Sequence, residues 1–525
     1  MSNKVIATNP IMPGYYPDPS MCAVGEDFYL CNSTFAHFPG LSLMHSKDLA
    51  HWEQIGNVMT RHSQLPLKDA DHSQGLFAPT IRFFNNKFYV ICTNVTHGGN
   101  FIVTADNPEG PWSEPTYIKD ADGIDPSLFF DDDGKCYYIG THPNPEGVKY
   151  NGDWYIYISE LDLSTMQLIG EKKNVWNGAL KGCIWPEGPH IYKENGYYYI
   201  MHAEGGTGPE HSIMICRSKN VFGPYENNPK NPIITHRNLG ADYPVKYVGH
   251  GDMFKTVNNE WFISMLAVRP INRYTTMGRE TFLAKMIWEE DWPVVNPGIG
   301  KLTDTLEIDL PVWDPLTDPD SYTNRTNHKT SIPGTNKNYK FTEMKELGDE
   351  FLFLRNYPDD MYKFSENGIS IKKQSYTIKD VASPSFICIR QQHHYFTCTC
   401  TLNPSGINES ESAGLVLMQN NLYNLRVESN GVKTDMIICK NGTDTVIGSM
   451  SHDKLDANGC IKLTIVVDGL VTKGYCNDNE LGSTGVADLS TEVAGGFVGC
   501  CIGMYASGNG KDGGYVDFKS LTYTA

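Results

Sequence analysis

The stretch Gly196-Tyr197-Tyr198-Tyr199-Ile200 is a turn residue followed by an aromatic-rich segment typical of a β-strand. The same pattern occurs five times in the N-terminal part of the chain, at spacings of 49 to 63 residues. Each unit has room for four strands of about five residues, which is the composition of a propeller blade. The sequence therefore predicts an all-β fold that begins with a five-bladed β-propeller over residues 1–312. The aromatic markers of the five units are Phe28, Phe88, Tyr137, Tyr198 and Trp261.

A second repeated feature lies ten to twelve residues before each marker. If the marker strands are equivalent, these positions are equivalent too, and the innermost strands of a propeller bring them to one end of the central channel. Three of the positions carry acids, Asp18, Asp125 and Glu187, and a fourth carries His250. A single Asp-Pro-Ser is often only a turn. Like charges held close are costly, however, so three converging acids indicate a chemical role. The five segments are Asp18-Pro19-Ser20, Ala78-Pro79-Thr80, Asp125-Pro126-Ser127, Glu187-Gly188-Pro189-His190 and Gly249-His250-Gly251-Asp252.

Such a cluster suits the hydrolysis of a glycosidic bond. One protonated carboxyl group donates to the leaving oxygen, while another activates water or attacks directly. A third carboxylate raises the pKa of the acid by like-charge repulsion. Metal binding is the other common use of clustered acids, but each segment offers only one or two oxygen ligands and none has the EF-hand pattern. We predict no required cofactor and no metal, and the sequence leaves a structural calcium open without indicating one.

Composition narrows the class of ligand. The 525 residues include 43 Lys and Arg against 61 Asp and Glu, a formal net charge of −18. This balance argues against a nucleic-acid or anionic membrane partner, since both attract Lys and Arg. No run of about 18 apolar residues and no leader-like segment is present, so we expect a cytoplasmic protein. The 14 cysteines contain no C-x-x-C pair, which makes a zinc site or a redox motif a weak interpretation and favours buried, reduced thiols.

The motifs together resemble glycoside hydrolase family 43, in particular its two-domain β-xylosidases and α-L-arabinofuranosidases. The resemblance implies a five-bladed propeller and an inverting reaction with Asp18 as general base, Glu187 as general acid and Asp125 as the carboxylate that tunes and positions the acid. It also places Phe35, Phe77, Thr207, His250 and Arg279 around the sugar. The motifs are Tyr16-Pro17-Asp18-Pro19-Ser20, Ser33-Thr34-Phe35, Phe38-Pro39-Gly40, His45-Ser46-Lys47-Asp48-Leu49, Ala78-Pro79-Thr80, Asp125-Pro126-Ser127-Leu128-Phe129, Glu187-Gly188-Pro189-His190, Glu204-Gly205-Gly206-Thr207 and Gly278-Arg279-Glu280-Thr281.

Four of the five binding residues have a plainer interpretation. Phe35 and Phe77 fit core aromatics, His250 fits a buried structural histidine, and Arg279 fits an ion pair with its neighbour Glu280. The branch often has Trp where this chain has Phe77, so the shape of the pocket is expected to differ.

Composition changes after Trp313. Residues 313–340 are rich in Thr, Asn, Asp, Ser and Pro, which predicts a linker. Residues 341–525 return to alternating segments such as Phe396–Leu402 and Ile461–Val467, which predict a β-sandwich packed on the propeller. This region resembles the C-terminal sandwich of the same branch. We name the loop Gly508-Asn509-Gly510 as the sandwich segment that could wall the pocket.

The sequence thus predicts an inverting, exo-acting hydrolase that releases terminal xylose or arabinose from xylo- or arabino-oligosaccharides, and it leaves a homo-oligomeric state open. Two alternatives stay open. An endo-arabinanase of the same architecture would have a groove open at both ends. A non-catalytic sugar-binding propeller would not need the three acids.

Overall fold

The N-terminal half of the computed structural model consists of five four-stranded antiparallel sheets, each formed by strands consecutive within its blade. The model describes residues 4–180, 182–325, 331–452 and 459–525. The innermost strand of each blade contacts that of the next, and the fifth contacts the first, which confirms the predicted five-bladed propeller. The predicted marker strands are the second strands of the blades. From innermost to outermost, the strands are Ser20–Val24, Asp27–Asn32, Gly40–Ser46 and Glu53–Met59 in blade 1; Thr80–Phe84, Lys87–Asn94, Gly99–Ala105 and Thr116–Tyr117 in blade 2; Ile124–Phe130, Cys136–Pro143, Trp154–Asp162 and Gln167–Trp176 in blade 3; Glu187–Glu194, Tyr197–Glu204, Ser212–Ser218 and Glu226–Asn227 in blade 4; and Lys246–Lys255, Trp261–Val268, Glu280–Glu289 and Trp292–Val295 in blade 5.

The propeller is tied together at its ends and along its axis. Val5–Thr8 pairs with Thr305–Ile308, which joins the start of the propeller to its end. On the axis, the Arg82 guanidinium of blade 2 donates to both carboxylate oxygens of Asp252 in blade 5, at 2.7 and 3.0 Å. Asp252 also accepts from the Tyr192 hydroxyl of blade 4 at 2.6 Å and from the Ser20 hydroxyl of blade 1 at 2.7 Å. Burial by itself would raise the pKa of Asp252, but the paired Arg82 guanidinium outweighs burial and holds the pKa at about 2. Four blades are therefore fixed beneath the channel mouth.

The C-terminal half is a β-sandwich of two eight-stranded sheets, which confirms the predicted second fold. Alternating residues of both sheets face inward and form one core of Ile, Leu, Val, Phe and Cys side chains. One edge strand of the second sheet, His37–Phe38, comes from the propeller and pairs with Phe353 and Leu354. The first sheet contains Lys337–Lys340, Tyr362–Ser365, Gly368–Lys372, Tyr395–Leu402, Ile461–Asp468, Val471–Cys476, Asn479–Gly485 and Tyr515–Thr524, and the second contains His37–Phe38, Leu352–Leu354, Ser385–Arg390, Ser412–Asn420, Tyr423–Ser429, Lys433–Lys440, Thr443–Ser451 and Cys501–Ser507.

The predicted linker follows the surface of blade 1. The Trp313 amide donates to Asp48 Oδ2 at 2.9 Å, and the Tyr322 amide donates to the buried Glu53 carboxylate at 3.1 Å. Residues 326–330 of this segment lie outside the described residues. Its last residues, Lys337–Lys340, already pair with the final strand of the sandwich.

Helices are few and short in the part of the chain that the structure describes. They are the α-helix Thr491–Ala494 and the 3₁₀ segments Tyr322–Asn324, Pro404–Gly406 and Ala487–Leu489. None of these is long and apolar enough to span a bilayer. All 14 cysteines are buried, as predicted, and none forms a disulfide within the described ranges.

Candidate active site

Four blades carry a residue in a left-handed backbone conformation just before the regularly paired part of the innermost strand. Asp18, Asp125 and His250 have φ of 51°, 53° and 41°, and Gly188 has φ of 57°. Regular pairing with the second strand begins two residues later at Ser20, Ser127 and His190, and in blade 5 it begins at Gly251, directly after His250. A non-glycine residue in this region is strained, and such strain is typical of functional sites.

The pairing register also corrects one detail of the repeat. Asp18, Asp125, Gly188 and His250 are equivalent, so Glu187 lies one residue earlier than the position expected for it. Phe28, Cys136 and Tyr198 are register equivalents in the second strands, and Asp18 and Gly188 lie ten residues before theirs whereas Asp125 lies eleven before its own. Sequence distance therefore does not identify the equivalent position in blade 4, and Glu187 is the residue directly before it.

All eight predicted site residues line one cavity of about 510 Å³ at the channel mouth. Blades 1, 3 and 4 contribute Asp18, Asp125 and Glu187 to it. Asp18 and Asp125 are 4% and 6% exposed, so these charges are largely removed from bulk water. The five other residues are Phe35, Phe77, Thr207, His250 and Arg279.

Arg279 forms an ion pair with Asp18 across the cavity. Its Nη1 donates to Asp18 Oδ1 at 2.7 Å and its Nη2 to Oδ2 at 3.4 Å. The expected local alternative, a pair with Glu280, does not occur, because Glu280 binds Arg269 through two contacts of 2.8 Å. The guanidinium thus fixes the orientation of the Asp18 carboxylate and balances part of the negative charge of the site.

The pKa values of both Asp125 and Glu187 are raised in the site. Burial, followed by repulsion from Asp125 and Asp18, holds the pKa of Glu187 well above its ordinary value. Burial is also the main cause that raises the pKa of Asp125 to about 6, although His250 opposes the shift. Asp125 Oδ2 accepts a hydrogen bond of 3.2 Å from the amide of Gly188, which follows Glu187 directly. The structure therefore couples Asp125 to Glu187 both by charge and through the backbone.

His250 and Thr207 complete the polar lining. The ring of His250 lies against the backbone of Gly188, where a side chain would meet it at 2.7 Å. A larger residue at position 188 would therefore displace His250, which accounts for glycine beside Glu187. The Thr207 hydroxyl is buried and has no hydrogen-bond partner among the described residues. Because an unpaired buried hydroxyl costs free energy, this position suits a bound polar ligand.

One wall of the cavity consists of three phenylalanine rings. Phe35 and Phe77 lie 5.4 Å apart, and Phe497 of the sandwich stacks on Phe35 at 5.9 Å and meets Phe77 edge-on at 6.1 Å. The Arg279 guanidinium lies 5.5 Å from the ring centres of both Phe35 and Phe497. The sandwich thus supplies part of the site.

Close backbone packing places Phe497 there. A Cβ on Gly278 would lie 2.6 Å from the Gly499 nitrogen, and one on Gly499 would lie 2.2 Å from the Met277 oxygen, so both positions require glycine. The Cys500 amide donates to the Thr276 carbonyl at 2.8 Å and extends this contact. The sandwich segment is therefore held against the residues that precede Arg279.

The expected wall loop was wrong. The structure places Gly508–Gly510 within the sandwich, where the Gly508 amide donates to the Gln374 carbonyl at 2.7 Å, and Phe497 occupies the cavity instead. The Gly495-Gly496-Phe497 sequence could have indicated an exposed aromatic on a flexible loop, but nothing in it points to the distant propeller.

Sequence analysis also missed two tryptophans on the outer side of the cavity. Trp154 and Trp185 have ring centres 5.2 Å apart. Trp185 has a left-handed φ of 54°, and its amide donates to the Gly152 carbonyl at 2.8 Å. A bulky residue in this conformation is rare, so its presence directly before Pro186-Glu187 is a signal that only backbone geometry reveals.

The cavity contains two acids with raised pKa, a third acid bound to a guanidinium, and an aromatic wall. These groups can transfer a proton to a glycosidic oxygen and activate water. A propeller with this site, walled by a sandwich, defines a glycoside hydrolase.

Comparison with known proteins gives the family. Residues 7–293 match the model of glycosyl hydrolases family 43, and residues 338–524 match the β-xylosidase C-terminal concanavalin A-like domain. The chain belongs to glycoside hydrolase family 43.

Several relatives are similar over their full length. A xylosidase/arabinosidase of Butyrivibrio fibrisolvens is 48% identical over 99% of both chains. A non-reducing end α-L-arabinofuranosidase of Bacteroides ovatus is 37% identical over 98% of this chain and 94% of its own. The solved structure of a xylan β-1,4-xylosidase from Bacillus halodurans superposes with a TM-score of 0.88 at 28% identity, covering 99% of this chain and 100% of that one.

Proposed function

We propose that this enzyme removes single terminal xylose or arabinose residues from xylo- or arabino-oligosaccharides with inversion of the anomeric configuration. The observation that carries the proposal is the joint placement of Asp18, Asp125 and Glu187 around a cavity that a sandwich phenylalanine walls on one side. The names of the similar proteins support both pentoses as substrates.

In this mechanism Glu187 is the general acid. Burial and the neighbouring carboxylates keep it protonated at neutral pH, so it can donate its proton to the glycosidic oxygen as the bond breaks. Asp125 maintains that state through its charge and holds the backbone of Glu187 through the Gly188 amide. Asp125 is therefore a positioning residue.

Asp18 is the general base. Its carboxylate is oriented by Arg279 and removes a proton from the water that attacks the anomeric carbon. Asp18 belongs to blade 1 and Glu187 to blade 4, so the two act from different sides of the cavity. Attack from the side opposite the leaving group inverts the anomeric centre.

The exo mode follows from the wall. Phe35, Phe77 and Phe497 form one wall of the cavity, and the close Gly278–Gly499 packing holds the sandwich against the propeller next to Arg279. We infer that the terminal pentose binds against these rings. Trp154 and Trp185 are half-buried and also line the cavity, and we infer that the next sugar of the chain stacks on them. An endo-acting arabinanase would need a groove open at both ends, so this arrangement favours the exo-acting alternative.

The test uses two substrates and one stereochemical measurement. Nitrophenyl β-xyloside and nitrophenyl α-L-arabinofuranoside should both be hydrolysed, whereas polymeric arabinan should yield only terminal arabinose. Proton NMR of xylobiose hydrolysis, recorded before mutarotation, should show α-xylose as the first product. Retention of configuration would refute Asp18 as base, and internal cleavage of arabinan would refute the exo mode.

A further inference from the structure

Three potential metal ligands meet behind the active site, where the propeller packs on the sandwich. His37, Cys388 and Cys501 are buried, and one ligand atom of each lies within 4.8 Å of the others; no other such group of His, Cys, Asp and Glu was found in the described ranges. His37 lies on the propeller strand that pairs with the sandwich edge. Cys388 and Cys501 come from adjacent sandwich strands, opposite Gly503 and Arg390, and therefore share one face of the sheet.

The hydrogen bond of His37 defines which nitrogen is available. Its Nδ1 lies 3.2 Å from the Thr34 carbonyl oxygen, which can only accept, so Nδ1 carries the proton. The Nε2 lone pair of the neutral ring then faces Cys501 Sγ at 3.9 Å. Tetrahedral zinc, with Zn–S of about 2.3 Å and Zn–N of about 2.1 Å, separates the two ligand atoms by about 3.6 Å. The observed distance differs by a small side-chain movement, and a carbonyl partner on the other nitrogen is typical of metal-bound histidine.

Two buried polar side chains without hydrogen-bond partners among the described residues lie beside His37. His72 is 7% exposed, its Nε2 has no hydrogen-bond partner among the described residues, and its ring lies edge-on to His37 with centres 5.2 Å apart. The fully buried Tyr15 hydroxyl likewise has no partner within the described chain, and its ring lies 5.6 Å from that of His37. Buried polar groups normally find partners, so two unpaired groups beside His37 indicate a missing ligand.

We propose that His37, Cys388 and Cys501 bind a thiophilic divalent metal ion, with Zn²⁺ the best match and the fourth position left for a further donor. Binding would release the two thiol protons, and the two thiolates would neutralise the dication, so the buried site would carry no net charge. This revises the sequence expectation of no metal, since ligands at positions 37, 388 and 501 form no spacing motif.

The site would connect the two domains at the active-site wall. Tyr15 lies between His37 and Phe35, at 5.6 and 6.3 Å from their rings, so a metal at His37 would restrict the layer that supports Phe35. Its consequence is mainly structural, and it is independent of the proposed catalytic roles.

Cobalt substitution tests the proposal. The full-length protein is produced in zinc-depleted medium with Co²⁺, desalted, and examined by absorption and elemental analysis. We expect one cobalt per chain, thiolate-to-cobalt charge-transfer bands and the intense d–d bands of tetrahedral coordination. Cys501→Ala should lose the charge-transfer intensity in large part. Cys500→Ala is the matched control, because Cys500 is equally buried on the same segment but faces Gln419 and Leu489 in the sandwich.

Three results would refute the proposed metal site. Wild-type protein without thiolate bands refutes it, as does equal band intensity in Cys501→Ala or a disulfide between Cys388 and Cys501 found by mass spectrometry. If Cys501→Ala does not fold, His37→Gln is used, and its cobalt spectrum should lose the tetrahedral signature. Chelation during unfolding should also lower the melting temperature of the wild type but not that of the His37→Gln variant.

Discussion

Replacing Phe497 by alanine tests whether the sandwich forms part of the sugar site. Phe497 is 37% exposed in the free enzyme, and a bound pentose can cover only that part of the ring. For a phenylalanine of roughly 200 Å², this leaves about 70 Å² of apolar surface, worth about 1.8 kcal/mol at 25 cal/mol per Å². We therefore expect kcat/KM for xylobiose to fall about 20-fold.

The loss should be mainly an increase in KM, because the ring contacts the pentose in the ground state and the transition state alike. The acid and base remain in place, so the pH profile of kcat should not move. The assay is steady-state hydrolysis of xylobiose and nitrophenyl xyloside at several pH values. Val493→Ala is the control, since Val493 is similarly exposed on the same segment but does not line the cavity. Unchanged kcat/KM in Phe497→Ala, or an equal loss in the control, would contradict the proposed contact between Phe497 and the sugar.

Three further substitutions separate the roles of the acids and the outer aromatic pair. Glu187→Ala should reduce kcat/KM on xylobiose by about 10²–10⁴-fold but much less on dinitrophenyl xyloside, whose leaving group needs no proton; equal losses would reject the acid role. Asp125→Asn removes a charge that raises the pKa of Glu187, so the alkaline limb of the rate profile should move to lower pH, and an unmoved limb would limit Asp125 to a structural effect. Trp185→Ala should reduce kcat/KM about tenfold on xylobiose and leave xylosyl fluoride unaffected, because fluoride offers no face to stack; similar losses on both would disprove a leaving-group site.

The propeller could be predicted because its signals are local and repeated. Each marker strand combines a turn with aromatic residues, and five copies at similar spacing leave few other architectures. Asp18 and Asp125 could be selected for the same reason, since both precede Pro-Ser at matching blade positions. The register of Glu187 could not be predicted to the residue. The hairpins between the first two strands differ in length by one residue from blade to blade, so a fixed distance to the aromatic marker does not identify equivalent positions.

The contact partners of individual side chains were harder to predict from the sequence than the fold. Their positions in the sequence suggested that Arg279 pairs with Glu280. The fold instead brings Asp18 to Arg279 and Arg269 to Glu280, so each arginine has a different partner. The wall loop was assigned to Gly508–Gly510 on composition alone, and the choice failed because glycine content reports turn conformation and not where a turn docks.

The sequence by itself predicted the two β folds and the convergence of Asp18, Asp125 and Glu187, because strand periodicity and short repeated motifs depend on contacts within a few residues. The family resemblance named the five further residues that line the same cavity. Tertiary structure alone decided that Phe497, Trp154 and Trp185 complete the cavity and that His37 meets Cys388 and Cys501. These residues come from different blades and from the other domain. Their meeting depends on how the sandwich docks through Gly278 and Gly499, a long-range packing outcome that no local pattern encodes.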